Sequence, residues 1–162
     1  MSWAAYITQI IDGKADTGKE TKNLCKGAQI IGEDGTSWGT SAGFALKKHE
    51  VTTDGKKVLI DEFKNLENAM KNNGNCSLPG GIYINGGKYL MTHFEDDGGM
   101  KKMYLKCTGG GACVVKTNKA YFIGTFETAS RMKKEGKETS QNVGDCNSAV
   151  EDTAKDMFDS GY

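Results

Sequence analysis

From Gly81 onward the sequence alternates short apolar runs with breaks centred on glycine and asparagine, a punctuation that commits this half of the chain to strands joined by tight turns. Gly81-Ile82-Tyr83-Ile84 and Lys88-Tyr89-Leu90-Met91 flank Asn85-Gly86-Gly87, and asparagine followed by glycine supplies the positive φ values of a two-residue hairpin turn. Further strands are predicted at Met100 to Cys107, Ala112 to Lys116 and Ala120 to Phe126. The chain carries 22 glycines and 1 proline, so glycine and asparagine must make its turns, and no proline-rich linker divides it. At 162 residues it is read as a single domain, 1–162, able to hold itself together with one apolar core.

The first half is mixed. Ser2 is placed to cap a helix in which Trp3, Tyr6, Ile7, Ile10 and Ile11 recur at helical spacing, ending near Gly13. Ala28, Ile30 and Ile31 lead into Glu33-Asp34-Gly35-Thr36 and Trp38, which reads as strand, turn and strand. Val58, Leu59, Phe63, Leu66 and Met70 have helical spacing, and Asn72-Asn73-Gly74 stops that helix. Phe44 to Glu50 fits either pattern. Glu127 to Val143 is charged and aperiodic, and reads as a solvated loop. A last helix carries Val150, Ala154, Met157 and Phe158 on one face, with Asn147 or Ser148 as its cap and Glu151 at the capping-box position relative to Ser148. A helix at each end of a run of hairpins is an α+β arrangement, with helices packed on an antiparallel sheet.

Composition removes several functions. The 21 basic and 21 acidic side chains cancel, which takes away the electrostatic basis for a nucleic-acid binder. Arg131 is the only arginine, so recognition by several bidentate guanidinium groups is excluded as well. No apolar run approaches the ~20 residues of a membrane-spanning helix, and the N-terminus lacks a basic region followed by an apolar stretch, so a soluble, cytoplasmic protein is expected. The 5 cysteines show no C-x-x-C spacing and read as reduced thiols that pack as small hydrophobes.

Catalytic motifs are weak. Gly39-Thr40-Ser41-Ala42-Gly43 matches a nucleophile elbow as a string, but that elbow belongs to a parallel α/β sheet with an acid and a histidine later in the chain, and a turn after a strand explains it better. His49 and His93 have no histidine at i+4, so neither a metal site nor a metal cofactor is indicated. Thr108-Gly109-Gly110-Gly111 precedes a strand and lacks a following Lys-Ser/Thr, so it does not cradle phosphate. No enzyme is expected. The informative residues are aromatic: Trp3 and Tyr6 lie one helical turn apart near one terminus, Trp38 follows a turn, and Tyr162 is the last residue. Singly, each suits a half-buried core edge; together they suit a flat apolar platform for a proline-rich peptide.

These segments resemble profilins. Ser2-Trp3-Ala4-Ala5-Tyr6-Ile7 is similar to the opening of that family, and Gly27-Ala28-Gln29-Ile30-Ile31-Gly32-Glu33-Asp34-Gly35-Thr36-Ser37-Trp38 to its first hairpin. Gly81 to Tyr89 resembles the G-G-x-K-Y segment, although here Lys88 follows the glycine pair directly. Gly109 to Thr117 with Ile123-Gly124, and Gly144-Asp145-Cys146-Asn147 through Gly161-Tyr162, continue the similarity in order along the chain.

The resemblance implies a central antiparallel sheet with the terminal helices on one face and shorter helices on the other. It also implies a cytoskeleton-associated protein that binds monomeric actin, regulates its polymerisation, and joins it to proline-rich segments of formin-like assembly factors. The polyproline site then falls on Trp3, Tyr6, Trp38 and Tyr162, with Asp156 standing where relatives often carry Tyr or His. The actin site falls on Lys88, Met91, His93, Lys106, Lys116, Gly144, Asn147 and Glu151, and a phosphoinositide site on Lys101, Lys102 and Lys106. Additional length in Arg131 to Gln141, with a smaller addition around Asn72 to Leu78, suggests a protist-type member whose insert tunes actin affinity. A sheet-and-helix adaptor or sensor that does not bind actin is the alternative; it leaves the terminal aromatics unexplained.

Overall fold

The computed structural model describes residues 2–13, 23–75, 81–128 and 141–162. The inserted stretch 131–141 lies outside these residues except for Gln141, and of the addition around Asn72 to Leu78 residues 76–78 lie outside them. The elements run α1 (Trp3–Asp12), β1 (Gly27–Gly32), β2 (Ser37–Thr40), β3 (Lys48–Thr53), β4 (Lys56–Asp61), α2 (Glu62–Lys71), β5 (Ile82–Ile84), β6 (Gly87–Asp97), β7 (Met100–Cys107), β8 (Gly110–Lys116), β9 (Ala120–Glu127) and α3 (Val143–Asp159). Seven strands form one antiparallel sheet in the order β2-β1-β9-β8-β7-β6-β5, and β3 with β4 forms a separate two-stranded hairpin.

The sheet is covered on both faces, which is why its central strands read as continuous apolar runs. Ala28, Ile30, Cys113, Val115 and Phe122 face α1 and α3, where they meet Ile7, Ile10, Cys146, Val150, Ala154 and Met157. Ile31, Val114, Ile123, Met103 and Leu105 face the other way and pack with Leu66, Ala69 and Met70 of α2. Burying each such side chain stabilises the fold by ~1.5 to 3 kcal/mol. Close approach of helix to sheet depends on Gly124 in β9: a Cβ there would lie 2.5 Å from Val150 Cγ2. The β5–β6 turn has Asn85 at φ 51° and Gly86 at φ 82°, the left-handed pair that the sequence signal requires.

Two expectations are corrected and one ambiguity is resolved. Val58 and Leu59 lie in β4, and the helix begins only at Glu62 with Asp61 as its cap, accepting from Lys64 N at 3.2 Å. The apparent helical period crossed a strand-to-helix junction, where i, i+4 spacing carries no meaning. Asp54 and Gly55, at φ 51° and 74°, make the β3–β4 turn, an Asp-Gly signal that resolves the ambiguity of the preceding residues. The last helix starts at Val143: Asn142 is the cap and accepts from Asp145 N at 2.9 Å, while its own Nδ2 donates to Asp145 Oδ2 at 2.7 Å. This cap lies upstream of both expected ones, so Asn147 and Ser148 are already helical.

Candidate functional site

The aromatic residues converge. Ser2 accepts from Ala5 N at 3.3 Å, which fixes the first turn of α1 and sets Trp3 and Tyr6 on one side with ring centroids 5.8 Å apart. α1 crosses β2 at Gly39, where a Cβ would come within 3.4 Å of Trp3 Cβ and 3.1 Å of Ile7 Cγ1, so this glycine admits the helix. Trp38, next to it on β2, lies 4.7 Å from Trp3 between centroids. Tyr162 is brought back beneath α3 by a hydrogen bond from its N–H to Met157 O at 2.9 Å. Its ring stands edge-on to Trp3 at 5.6 Å and to Trp38 at 6.1 Å. Tyr162 is exposed, and Trp3, Tyr6 and Trp38 are half-buried. The bodies of these rings pack on the core while their rims face solvent, the disposition of an interface aromatic.

Two residues that sequence reasoning weighed differently, or did not weigh, belong beside this cluster. Lys119 Nζ sits 5.5 Å from the Tyr162 ring centroid, a cation–π contact between a turn and the C-terminus that no local pattern announces. Asp156 accepts from Gln9 Nε2 at 3.1 Å and ties α3 to α1.

The second candidate surface is the half of the same sheet face that the helices leave uncovered. Register places Lys88, Leu90 and Lys106 on that face, with Leu90 opposite Lys106; Lys88, Leu90 and Lys106 also line one shallow cavity. His93 is opposite Tyr104, and their rings stack at 5.8 Å with 19° between planes. Tyr104 Oη donates to Glu151 Oε1 on α3, so His93, Tyr104 and Glu151 form a connected row from strand to helix. Burial and that hydrogen bond push the Tyr104 phenol well above its ordinary range, which keeps it a donor. Gly144 and Asn147 continue the surface along the first turns of α3.

Three expected residues stand elsewhere. Met91 is opposite Leu105 and so faces the α2 side, because a bulge between Met91 and His93 flips the alternation. Lys116, opposite Lys101, also belongs to the α2 side; it pairs with Glu33 at 2.7 Å and lies 5.3 Å from the Tyr121 ring. The lysine trio is split as well. Lys101 shares the α2-side cavity with Lys71 and Lys116, whereas Lys102 and Lys106 point to the opposite face and Lys102 is paired with Asp97 at 3.5 Å. Tyr104, unnoticed in the sequence, was recoverable from strict alternation along Lys102, Tyr104 and Lys106.

Ser41 accepts from Ala28 N at 2.9 Å, and the two histidines are engaged apart from it, His49 with Glu62 at 2.8 Å and His93 with Glu95 at 3.0 Å. The elbow string is therefore a turn after β2. The His49 partner went unread in the sequence: Glu62 is fully buried and accepts from Lys47 N at 2.9 Å, Asn85 N at 2.7 Å and Gly86 N at 2.7 Å. It clamps the β5–β6 turn to the start of α2.

A sheet carrying both terminal helices on one face, with aromatics from the chain's first and last turns gathered at one edge, defines a profilin-like protein. The Profilin family model matches residues 1–162, and the chain belongs to the profilin family. Profilin of Tetrahymena pyriformis is 36% identical over 137 residues, covering 82% of this chain and 86% of that one. The solved structure of Acanthamoeba castellanii profilin IB superposes with a TM-score of 0.65 at 27% identity, over 99% of this chain and 100% of that one. The profilin of a LokiProfilin2/rabbit actin complex shares the fold, with a TM-score of 0.52 at 14% identity over 96% of this chain and 94% of that one.

Proposed function

We propose that this profilin binds monomeric actin and regulates its polymerisation through the exposed face of β6 and β7 together with the start of α3. Lys88, His93, Lys106, Gly144, Asn147 and Glu151 belong to this surface, and Tyr104 and Leu90 join them. The reading is supported by family membership and by the solved profilin held in complex with actin. The aromatic cluster of Trp3, Tyr6, Trp38 and Tyr162 is the site for proline-rich segments of formin-like assembly factors. A polyproline helix presents flat apolar rings and free carbonyls, which match exposed Trp and Tyr edges with their N–H and O–H donors.

The single observation that carries the reading is the convergence of four rings around Trp3, with Tyr6, Trp38 and Tyr162 each within 5.8 Å of it between centroids. A single domain acting in the cytoplasm, where actin monomers are, fits both surfaces. A phosphoinositide headgroup would be met by Lys102 and Lys106 alone, because Lys101 is on the other side of the sheet. Retention on immobilised polyproline, followed by co-sedimentation assays of the free actin-monomer pool, tests the proposal. Retention together with a lowered polymer fraction is expected; loss of either, with the protein folded, contradicts it.

A further inference from the structure

Cys25 and Cys146 bring their sulfur atoms to 3.0 Å in the core, and both residues are fully buried. Cys25 lies in the segment entering β1, held on both sides: its N–H donates to Ile11 O at 3.1 Å, and Lys26 N donates to Thr125 O at 2.7 Å. Cys146 occupies the first turns of α3. The pair sits above Gly124, where a Cβ would lie 3.2 Å from Cys25 Sγ, so the bare glycine makes room for the sulfurs. A bonded pair of sulfurs is ~2.05 Å apart, which leaves a closure of about 1 Å for two thiols already aimed at each other.

We propose that Cys25 and Cys146 form a reversible intramolecular disulfide when the protein meets a peroxide. One thiol takes an oxygen from the peroxide, giving a sulfenic acid and, from hydrogen peroxide, one water. The second thiol's sulfur then attacks that sulfur; the S–S bond forms as the S–O bond breaks, and the departing oxygen leaves as a second water with the thiol proton. A dithiol reductant returns both hydrogens and restores the pair. The hydrogen bond between the two thiols and their burial both push Cys146 far above the ordinary thiol range, so little thiolate exists in the closed core. Reaction therefore follows opening of the start of α3, and the pair responds to sustained rather than brief oxidation. The bond would join the segment before β1 to the helix that carries Gly144, Asn147 and Glu151. It stands independently of the actin reading.

The test uses the full chain with Cys76→Ser and Cys107→Ser, which leaves Cys25, Cys113 and Cys146. Reduced protein is incubated with hydrogen peroxide; one portion is melted directly, and another is denatured in an alkylating reagent and examined by intact mass and peptide mapping. The expected result is a Cys25–Cys146 linked peptide, an intact mass showing two fewer alkyl adducts than the reduced protein carries, and a melting point higher by on the order of 10 °C, since the link closes a loop of more than ~100 residues. Dithiothreitol should reverse all three, and Cys25→Ala should show none. Full alkylation of both cysteines after peroxide, or a bridge from Cys113 instead, would overturn the proposal. Should the alanine variant fail to fold, the linked peptide and its reversal in the parent chain decide the matter alone.

Discussion

Replacing Glu62 with alanine should be among the most damaging single changes to this fold, although the residue touches neither proposed binding surface. Its carboxylate is the shared acceptor for Lys47 N, Asn85 N and Gly86 N, and His49 Nε2 lies 2.8 Å from it. Alanine leaves these three partly buried backbone donors without their acceptor, at ~1 to 3 kcal/mol each. Taking the lower part of that range, because the turn can relax toward solvent, the loss is about 3 to 5 kcal/mol. At roughly 2 to 4 °C per kcal/mol for a chain of this size, the melting temperature should fall by ~10 °C or more. Glu62→Gln keeps one oxygen for Lys47 and Asn85 but turns an amide N–H toward Gly86 or His49, so it should cost less, about 1 to 2 kcal/mol. Urea unfolding of the three proteins, read by circular dichroism, measures this. A Glu62→Ala variant within ~1 kcal/mol of the parent would show that the carboxylate is not the clamp described above.

Trp3→Ala or Trp38→Ala should lower affinity for a polyproline peptide by ~2 kcal/mol or more, about 30-fold, while the fold persists; unchanged affinity in a folded variant would remove the aromatic platform. Lys88→Glu with Lys106→Glu should slow association with actin and change its salt dependence, leaving polyproline retention intact; equal loss of both activities would point to one shared site. Asn142→Ala removes the α3 cap and should cost about 1 kcal/mol in urea unfolding, whereas Asn147→Ala and Ser148→Ala should not show a capping loss. Burial pushes Tyr121 up to about 12 from an ordinary value of 10.0. Its neutral form is therefore favoured by folding; the stability is complete below pH ~10 and is lost as pH rises through ~12. Thermal melts at pH 9 and 11 should fall more steeply for the parent than for Tyr121→Phe, and parallel slopes would refute this.

What the sequence showed and what it hid follow from locality. The β5–β6 turn, the strands from Met100 to Glu127 and the first helix rest on signals within a few residues, Asn85-Gly86 and the Ser2 cap among them, so the sequence was sufficient for them. The start of α3 was misplaced because two cap signals lie within a few residues of each other and only packing decides between them; Cys146 and Ala149 must both reach the core. The polyproline residues stood out as aromatics at both ends of the chain and after the first turn, but that they meet could not be read from any local pattern, since their contact joins segments far apart in sequence. Met91 and Lys116 were drawn to the actin surface by resemblance, while a bulge and strand alternation turn them to the α2 side. The Glu62 clamp was invisible, because three of its contacts are backbone N–H groups that have no residue signature.

On the proposed reading, one face of one sheet holds two separate surfaces, an aromatic edge for polyproline and a strand-and-helix surface for actin. Capture of monomeric actin on polyproline beads tests it most directly. Actin should stay on the beads only when this protein is present, and Trp38→Ala should abolish capture while Lys106→Glu should release the actin but leave the protein bound. Actin displaced from the protein as polyproline is added would contradict the claim, because the two ligands would then compete for a single site.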